Sequence, residues 1–340
     1  MSTLKKSLLL ALVLLTVTAV YGYKTVKAGS EAYLFGYPLV LMELTRQAMD
    51  GGKPVNRFSH NTEFPDHNFR NVVRPNNDTL YSIAWLDLSA EPVVLSVPDT
   101  AGRYYVMPLM DAWTNVFATV GKRSSGTGAG EFLIVGPQWQ GSSPADMEVI
   151  TAPTNMVWII GRIQTNGWAD IANVTALQQH FGLAPLSQFA QGVRPVAVVA
   201  GEASSDDPYQ QIRAMSGKEY FQLMSSLMAE QPPATADAPM LDKLAGLGIS
   251  ASGSVPMEPP GPLDAKLLNL AKNLTDKGLK KSLEQGRELE NGWAVQRDTI
   301  GDYGTNYAVR AAVAMVGLGA LPPAEASYPN TSRDSEGVLL

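Results

Sequence analysis

The spacing of apolar and polar residues changes three times along this chain. Residues 7–20 form an uncharged apolar run directly behind the pair Lys5-Lys6. A helical period follows over residues 31–48, where Leu34, Tyr37, Leu41 and Leu44 recur at spacings of three and four and share one face. Ser30 stands where an N-cap belongs, and Asp50-Gly51-Gly52 closes the segment. Pro38 predicts a kink or break within it, because proline has no amide hydrogen and crowds the preceding turn. Residues 53–78 show no period, and an internal loop of that length is either functional or holds structure that the pattern does not reveal. Six short apolar runs then follow, at 79–88, 92–97, 103–110, 115–120, 131–135 and 156–163. Turn signals such as Asp99-Thr100-Ala101-Gly102 and Gly136-Pro137 separate them. Helical spacing returns at 169–180, 208–228, 240–247 and 264–289. Gln231-Pro232-Pro233 reads as a turn between helices, and 252–262 as a linker.

Short strands at this spacing predict an antiparallel β-sandwich or a jelly-roll-like barrel, not alternating β and α units. The expected fold class is therefore α+β. A β-rich domain with a leading helix would occupy 29–167, and a helical segment 168–317.

Composition narrows the function classes. The chain has 340 residues, enough for two cores, with 45% hydrophobic and 17% charged residues, the balance of a globular protein. A net charge of -6 argues against nucleic acid as a partner. The absence of cysteine excludes disulfides, thiolate metal sites and a cysteine nucleophile. Residues 1–28 read as a signal peptide cleaved after Gly22 or Ala28, or as a retained anchor with Tyr21 and Tyr23 at the membrane interface. Either reading puts the remainder in the periplasm or outside the cell, anchored to the inner membrane if the segment stays. Membrane contact would run through that segment alone.

No Gly-x-Ser-x-Gly elbow, His-Glu-x-x-His or phosphate loop occurs. Gly126 to Gly130 precedes a strand and reads as a hairpin loop. Asn76-Asn77-Asp78 can form an Asx-type turn capping a strand, or can place Asp78 and Tyr81 at a pocket mouth. Arg103, Tyr105, Met107, Leu109 and Asp111 share a strand face, with Pro108 marking an edge strand or a bulge that reverses the parity beyond it. Trp158 and Arg162 share another face, and a buried Arg162 calls for a carboxylate such as Asp78 or Asp111. His60 and His67, with Glu63 and Asp66 between them, offer imidazole and carboxylate ligands for a divalent metal, the one cofactor class the residues suggest.

Several stretches together resemble the family of the domain of unknown function 1254. They are Val72-Val73-Arg74-Pro75-Asn76-Asn77-Asp78-Thr79-Leu80-Tyr81-Ser82, Gly102-Arg103-Tyr104-Tyr105, Asp111-Ala112-Trp113-Thr114, Gly126-Thr127-Gly128-Ala129-Gly130, Val157-Trp158-Ile159-Ile160-Gly161-Arg162 and Gln164-Thr165-Asn166-Gly167. The resemblance spans about residues 31–317 and implies a bacterial protein, often exported. It also implies a second β domain, of unknown function 1214, after Tyr307-Ala308-Val309-Arg310-Ala311-Ala312; residues 318–340 look like its opening, with most of it missing.

Two functions fit these residues. One is an envelope module binding a small molecule or a protein partner, with Asn76, Arg103, Tyr105 and Trp113 as contacts. The other is a hydrolase of a neutral or glycosidic substrate, with Asp78 and Asp111 as acid and base and with Tyr81 and Arg162 in support.

Overall fold

The structure, a computed structural model, describes residues 3–50, 55–64, 76–144, 147–193, 197–199, 207–252, 261–284, 293–296, 300–331, 334 and 336–338. Its helices, in chain order, are α1 (Thr3–Asp50), α2 (Ile171–Gln178), α3 (Leu186–Ala190), α4 (Pro208–Ala214), α5 (Gly217–Glu230), α6 (Ala238–Gly246), α7 (Pro262–Glu284) and α8 (Tyr307–Gly317). Its strands are β1 (Ser59–His60), β2 (Thr79–Asp87), β3 (Val93–Val97), β4 (Tyr105–Asp111), β5 (Val116–Gly121), β6 (Gly130–Val135), β7 (Glu148–Thr151), β8 (Met156–Gln164), β9 (Gly182–Pro185), β10 (Val198–Val199), β11 (Ala294–Gln296) and β12 (Tyr328–Asn330). The chain divides into two units. Residues 1–40 and 210–285 form a helical unit, and residues 41–209 and 286–340 form a β unit.

The β unit holds a six-stranded sheet in the order β10-β1-β2-β8-β4-β5 and a four-stranded sheet in the order β7-β6-β3-β9. Alternation along β2, β4 and β8 sends Leu80, Ala84, Leu86, Tyr105, Met107, Leu109, Val157, Ile159 and Ile163 inward. There they meet Val93, Leu95, Phe132, Ile134 and Leu183 of the smaller sheet in one core. This is the expected α+β, sandwich-like arrangement, with no closed barrel. All six predicted strands are present within two residues at each end. The short strands β1, β7, β9 and β10 were not predicted, because two to four residues are too few to show a period. The Gly126 to Gly130 stretch is not a hairpin. It crosses from β5 in the larger sheet to β6 in the smaller one.

Pro108 sits in β4, which is an interior strand between β8 and β5, so the edge-strand expectation fails. The bulge expectation holds, since the register with β5 shifts between Leu109 and Met110. The extra residue is Phe117 on β5, so the parity of β4 does not reverse, and Asp111 pairs with the inward-facing Val157 of β8. Helix α8 and the segment to β12 belong to the same unit. Gly319 there lies against Trp158 and Ile160 on the outer face of the larger sheet.

In the helical unit, α1 continues through Ser30 toward the N-terminus, so Ser30 is an interior residue and not a cap. The reason is packing. Thr25, Ala32, Tyr33 and Tyr37 are buried, and Gly29 lets α1 approach Ala271 and Leu268 of α7. Pro38 is accommodated without ending the helix. The predicted helix over 208–228 is broken into α4 and α5 by a capping box at Ser216. Its hydroxyl accepts from Glu219 N at 3.2 Å, and the Glu219 carboxylate accepts from Ser216 N at 2.7 Å. Tyr33 donates to Asp276 at 3.0 Å, and Tyr220 donates to the Tyr33 carbonyl at 2.9 Å.

Candidate functional site

Strand register sorts the polar residues of the larger sheet into two groups, one at each end of β8. Thr79 pairs with Gln164 at one end, and Asp111 pairs with Val157 at the other. Asp78 lies just beyond the first pair, its carbonyl accepting from Thr165 N at 2.9 Å. About seven residues at roughly 3.3 Å each put Asp78 and Asp111 on the order of 25 Å apart. The expected carboxylate pair is thereby corrected. Two carboxyl groups working on one glycosidic bond stand about 5–10 Å apart, and the intervening strand is extended and cannot fold them together.

At the Asp78 end, Asn76 carries the geometry. Its Oδ1 accepts from Asp78 N at 3.0 Å, Thr79 N at 2.9 Å and Thr79 Oγ1 at 2.9 Å, while its Nδ2 donates to the Tyr81 hydroxyl at 2.8 Å. This is the strand-capping Asx turn, and it leaves Asp78 exposed. Tyr81 pairs across the ladder with Arg162, whose guanidinium lies 5.7 Å from the ring centroid. Among the described residues Arg162 does not pair with a carboxylate. It donates to the Gly319 carbonyl at 2.9 Å and to the Ile160 carbonyl at 3.4 Å. Arg103 makes an ion pair with Asp170 at 2.5 Å and also donates to the Gln164 carbonyl at 2.8 Å. That guanidinium is the first cause holding the Asp170 carboxyl well below the usual carboxylate range. Arg103 is thus a strut between β8 and α2, not a ligand contact. Tyr105 is buried in the sandwich core, edge-on to Phe181, with its hydroxyl unpartnered.

His60 is also buried. Its Nδ1 lies 2.9 Å from Ser82 Oγ and its Nε2 has no hydrogen-bond partner. Burial lowers its pKa to about 4, so the ring is neutral near pH 7. Of the other residues of the expected metal set, Glu63 is exposed, and Asp66 and His67 lie outside the described residues. Among the described residues no cluster of three His, Asp or Glu side chains is placed to hold a metal.

The opposite end of the sheet is chemically richer. The turn from β4 to β5 is built around Asp111, which is 3% exposed. Its Oδ1 accepts from Trp113 N at 2.9 Å and Asn115 N at 2.8 Å, and its Oδ2 accepts from Asn115 Nδ2 at 2.9 Å. Burial raises its pKa to about 6, opposed by the Asn115 hydrogen bonds and the positive charge of Arg310. Thr114 in this turn has φ of 69°, a left-handed conformation that a β-branched residue adopts only under constraint. Its hydroxyl is buried without a partner. Trp113, expected as a ligand contact, is buried at 3% exposure.

Arg310 on α8 completes the group and was not singled out from the sequence. It is 4% exposed, and its Nη2 donates to the Gly304 carbonyl at 2.6 Å, while Nε and Nη1 have no partner. It acts electrostatically on both Asp111 and Tyr303 without a direct ion pair to either. The Nε1 atoms of Trp85 and Trp158, stacked with ring centroids 4.9 Å apart, are likewise buried and unpartnered at this end of the sheet. The sequence did hold a signal for Arg310. It is the one charge in a helix otherwise built of Ala, Val, Met, Gly and Tyr, which is costly unless the charge has a task.

Fold and site together define an α+β protein with a two-sheet, antiparallel-rich unit and a buried polar cluster at one end of its larger sheet. Residues 55–185 match the family described as protein of unknown function (DUF1254). That match covers β1 through β9 and includes Asp111 but not Arg310, and no match to a domain of unknown function 1214 accompanies it. The VPA0106 protein from Vibrio parahaemolyticus, known from a crystal structure, is 26% identical, with a TM-score of 0.68 over 93% of this chain and 73% of that one. A protein from Burkholderia cenocepacia described as uncharacterized is 12% identical, with a TM-score of 0.32 over 84% of this chain and 65% of that one. No curated protein matches the sequence.

Proposed function

We propose that this protein is a small-molecule-binding module whose site lies at the β4–β5 turn, between Asp111, Thr114 and Arg310. The observation that carries the reading is the buried guanidinium of Arg310, with Nε and Nη1 unpartnered. Leaving such donors dry costs several kcal/mol, on the order of 1–3 for each unmet group. A fold tolerates that cost where a bound molecule or water meets them. The hydrolase alternative has no comparable support, since its two carboxyl groups stand at opposite ends of a strand.

The test is thermal unfolding of the full chain against a panel of small acids, amides, sugars and divalent cations. One class is expected to raise Tm, as a ligand at 100 times its Kd contributes about 2.7 kcal/mol. Arg310→Met is expected to remove that shift. A panel in which nothing moves Tm would reject the reading.

We further propose that the protein is exported to the cell envelope. The lysine pair and apolar run at the N-terminus support this, as does the exposure of Leu12, Val13, Leu14, Leu15, Val17 and Val20 along α1. Among the described residues no helix is long and apolar enough to cross a membrane. Fractionation of native cells checks the location, and recovery in the cytosol would refute it.

A further inference from the structure

We infer that the ligand of the β4–β5 site is a small monocarboxylic acid, held by the free Nε and Nη1 edges of Arg310 and by the Thr114 hydroxyl. This inference rests on the binding reading above and adds the chemical class. The unmet groups are donors: the Arg310 edges are donor-only, and a hydroxyl can donate. Their natural complement is a group with several lone pairs in one plane, which a carboxylate provides and to which a guanidinium is matched in shape.

Charge limits the choice further. Arg310 is the cation acting on Asp111. With Asp111 ionised, one positive charge already faces one negative charge. A dianion such as phosphate would leave surplus negative charge buried, which is strongly unfavourable. A monoanion fits once Asp111 takes up a proton, and burial has brought that carboxyl near the range where it can. Tyr303, which feels both Arg310 and Asp111, has its pKa raised to about 12 by burial and stays neutral, and the Tyr307 ring lies 5.9 Å from the Arg310 guanidinium.

The loop over Arg310 carries Gly301 and Gly304 at φ of 84° and 50°, and residues 302, 304 and 305 are exposed. Among the described residues the Gly304 carbonyl is the one hydrogen-bond acceptor of the Arg310 side chain.

The experiment is titration calorimetry on the full chain with benzoate and octanoate, their neutral amides benzamide and octanamide, and inorganic phosphate, at fixed ionic strength and well above neutral pH, where phosphate is a dianion. Carboxylates are expected to bind and the amides and phosphate are not. Binding should take up close to one proton above pH 6, read from its dependence on buffer ionisation heat. Arg310→Lys is expected to weaken carboxylate binding at least tenfold. Asp111→Asn, which removes the competing charge, should tighten it roughly tenfold and abolish the proton uptake. Binding of the amides but not the acids would overturn the carboxylate assignment and leave the binding module standing. Silence from every probe would overturn the assignment, and the wider panel then decides on the module. Carboxylate binding unchanged in both variants, or matched by phosphate, would also overturn it.

Discussion

At the scale of single residues, two buried titratable groups act in opposite senses across the same pH window. His60 is held neutral by burial, with its pKa lowered to about 4. Its contribution to stability is present above about pH 6.5, the unfolded value, and is lost as pH falls through about 4. Asp111 has its pKa raised to about 6. Its contribution is complete below about pH 4, the unfolded value, and is lost as pH rises through about 6. The two slopes oppose each other, so wild-type stability is expected to vary little over that range from these groups. Asp111→Asn should unmask a rise in stability with pH, on the order of 3 kcal/mol from pH 4 to 6.5. His60→Gln should unmask a fall of similar size. Denaturant titrations at three pH values check both, and flat profiles in both variants would contradict the assignment. A second residue-scale prediction concerns Asn76, whose amide makes three bonds to the start of β2 and one to Tyr81. Asn76→Ala is expected to cost about 1–3 kcal/mol, read as a lower midpoint with unchanged slope.

At the scale of elements, the helical unit depends on one close approach and one cap. A methyl group on Gly217 would lie 2.7 Å from the Asn269 Cα, a backbone atom that cannot turn aside. Gly217→Ala is therefore expected to destabilise by more than about 2 kcal/mol, while the neighbouring Ser216→Ala should cost only about 1 kcal/mol through the lost capping bond. Equal effects would mean that α5 and α7 can separate without penalty. The elements also show where the residue pattern was readable. The six longer strands were found because alternation over five to nine residues is a strong period, and Trp158 and Arg162 were correctly placed on one face. Ser30 misled because a good capping residue stood inside a longer helix whose N-terminal turns are stabilised by α7, far away in sequence. Gly126 to Gly130 misled because nothing local tells a hairpin from a crossing between sheets.

At the scale of the whole molecule, the β unit takes α8 and the β11–β12 pair from residues beyond 285, after the chain has built the helical unit. Ending the chain at Gln285 would remove Arg310, the Gly319 carbonyl that accepts from Arg162 and the Glu325 carboxylate that accepts from Tyr104 and Arg123. This deletion is expected to abolish the near-ultraviolet circular dichroism of the stacked Trp85–Trp158 pair while much of the far-ultraviolet helical signal persists. Retention of the near-ultraviolet signal would show that the sheets finish folding without the C-terminal segment.

The sequence by itself determined the class of fold, the positions of the long strands, the Asx turn at Asn76 and the absence of cysteine chemistry. All of these follow from periods and residue types read over a few positions. Only the tertiary structure decided which polar groups meet. It separated Asp78 from Asp111 along β8, gave Arg103 to Asp170 and Arg162 to a backbone carbonyl, and brought Arg310 toward Asp111 across 199 positions of sequence. Charge partners and burial depend on contacts between distant segments, and neither hydrophobic period nor turn chemistry encodes them.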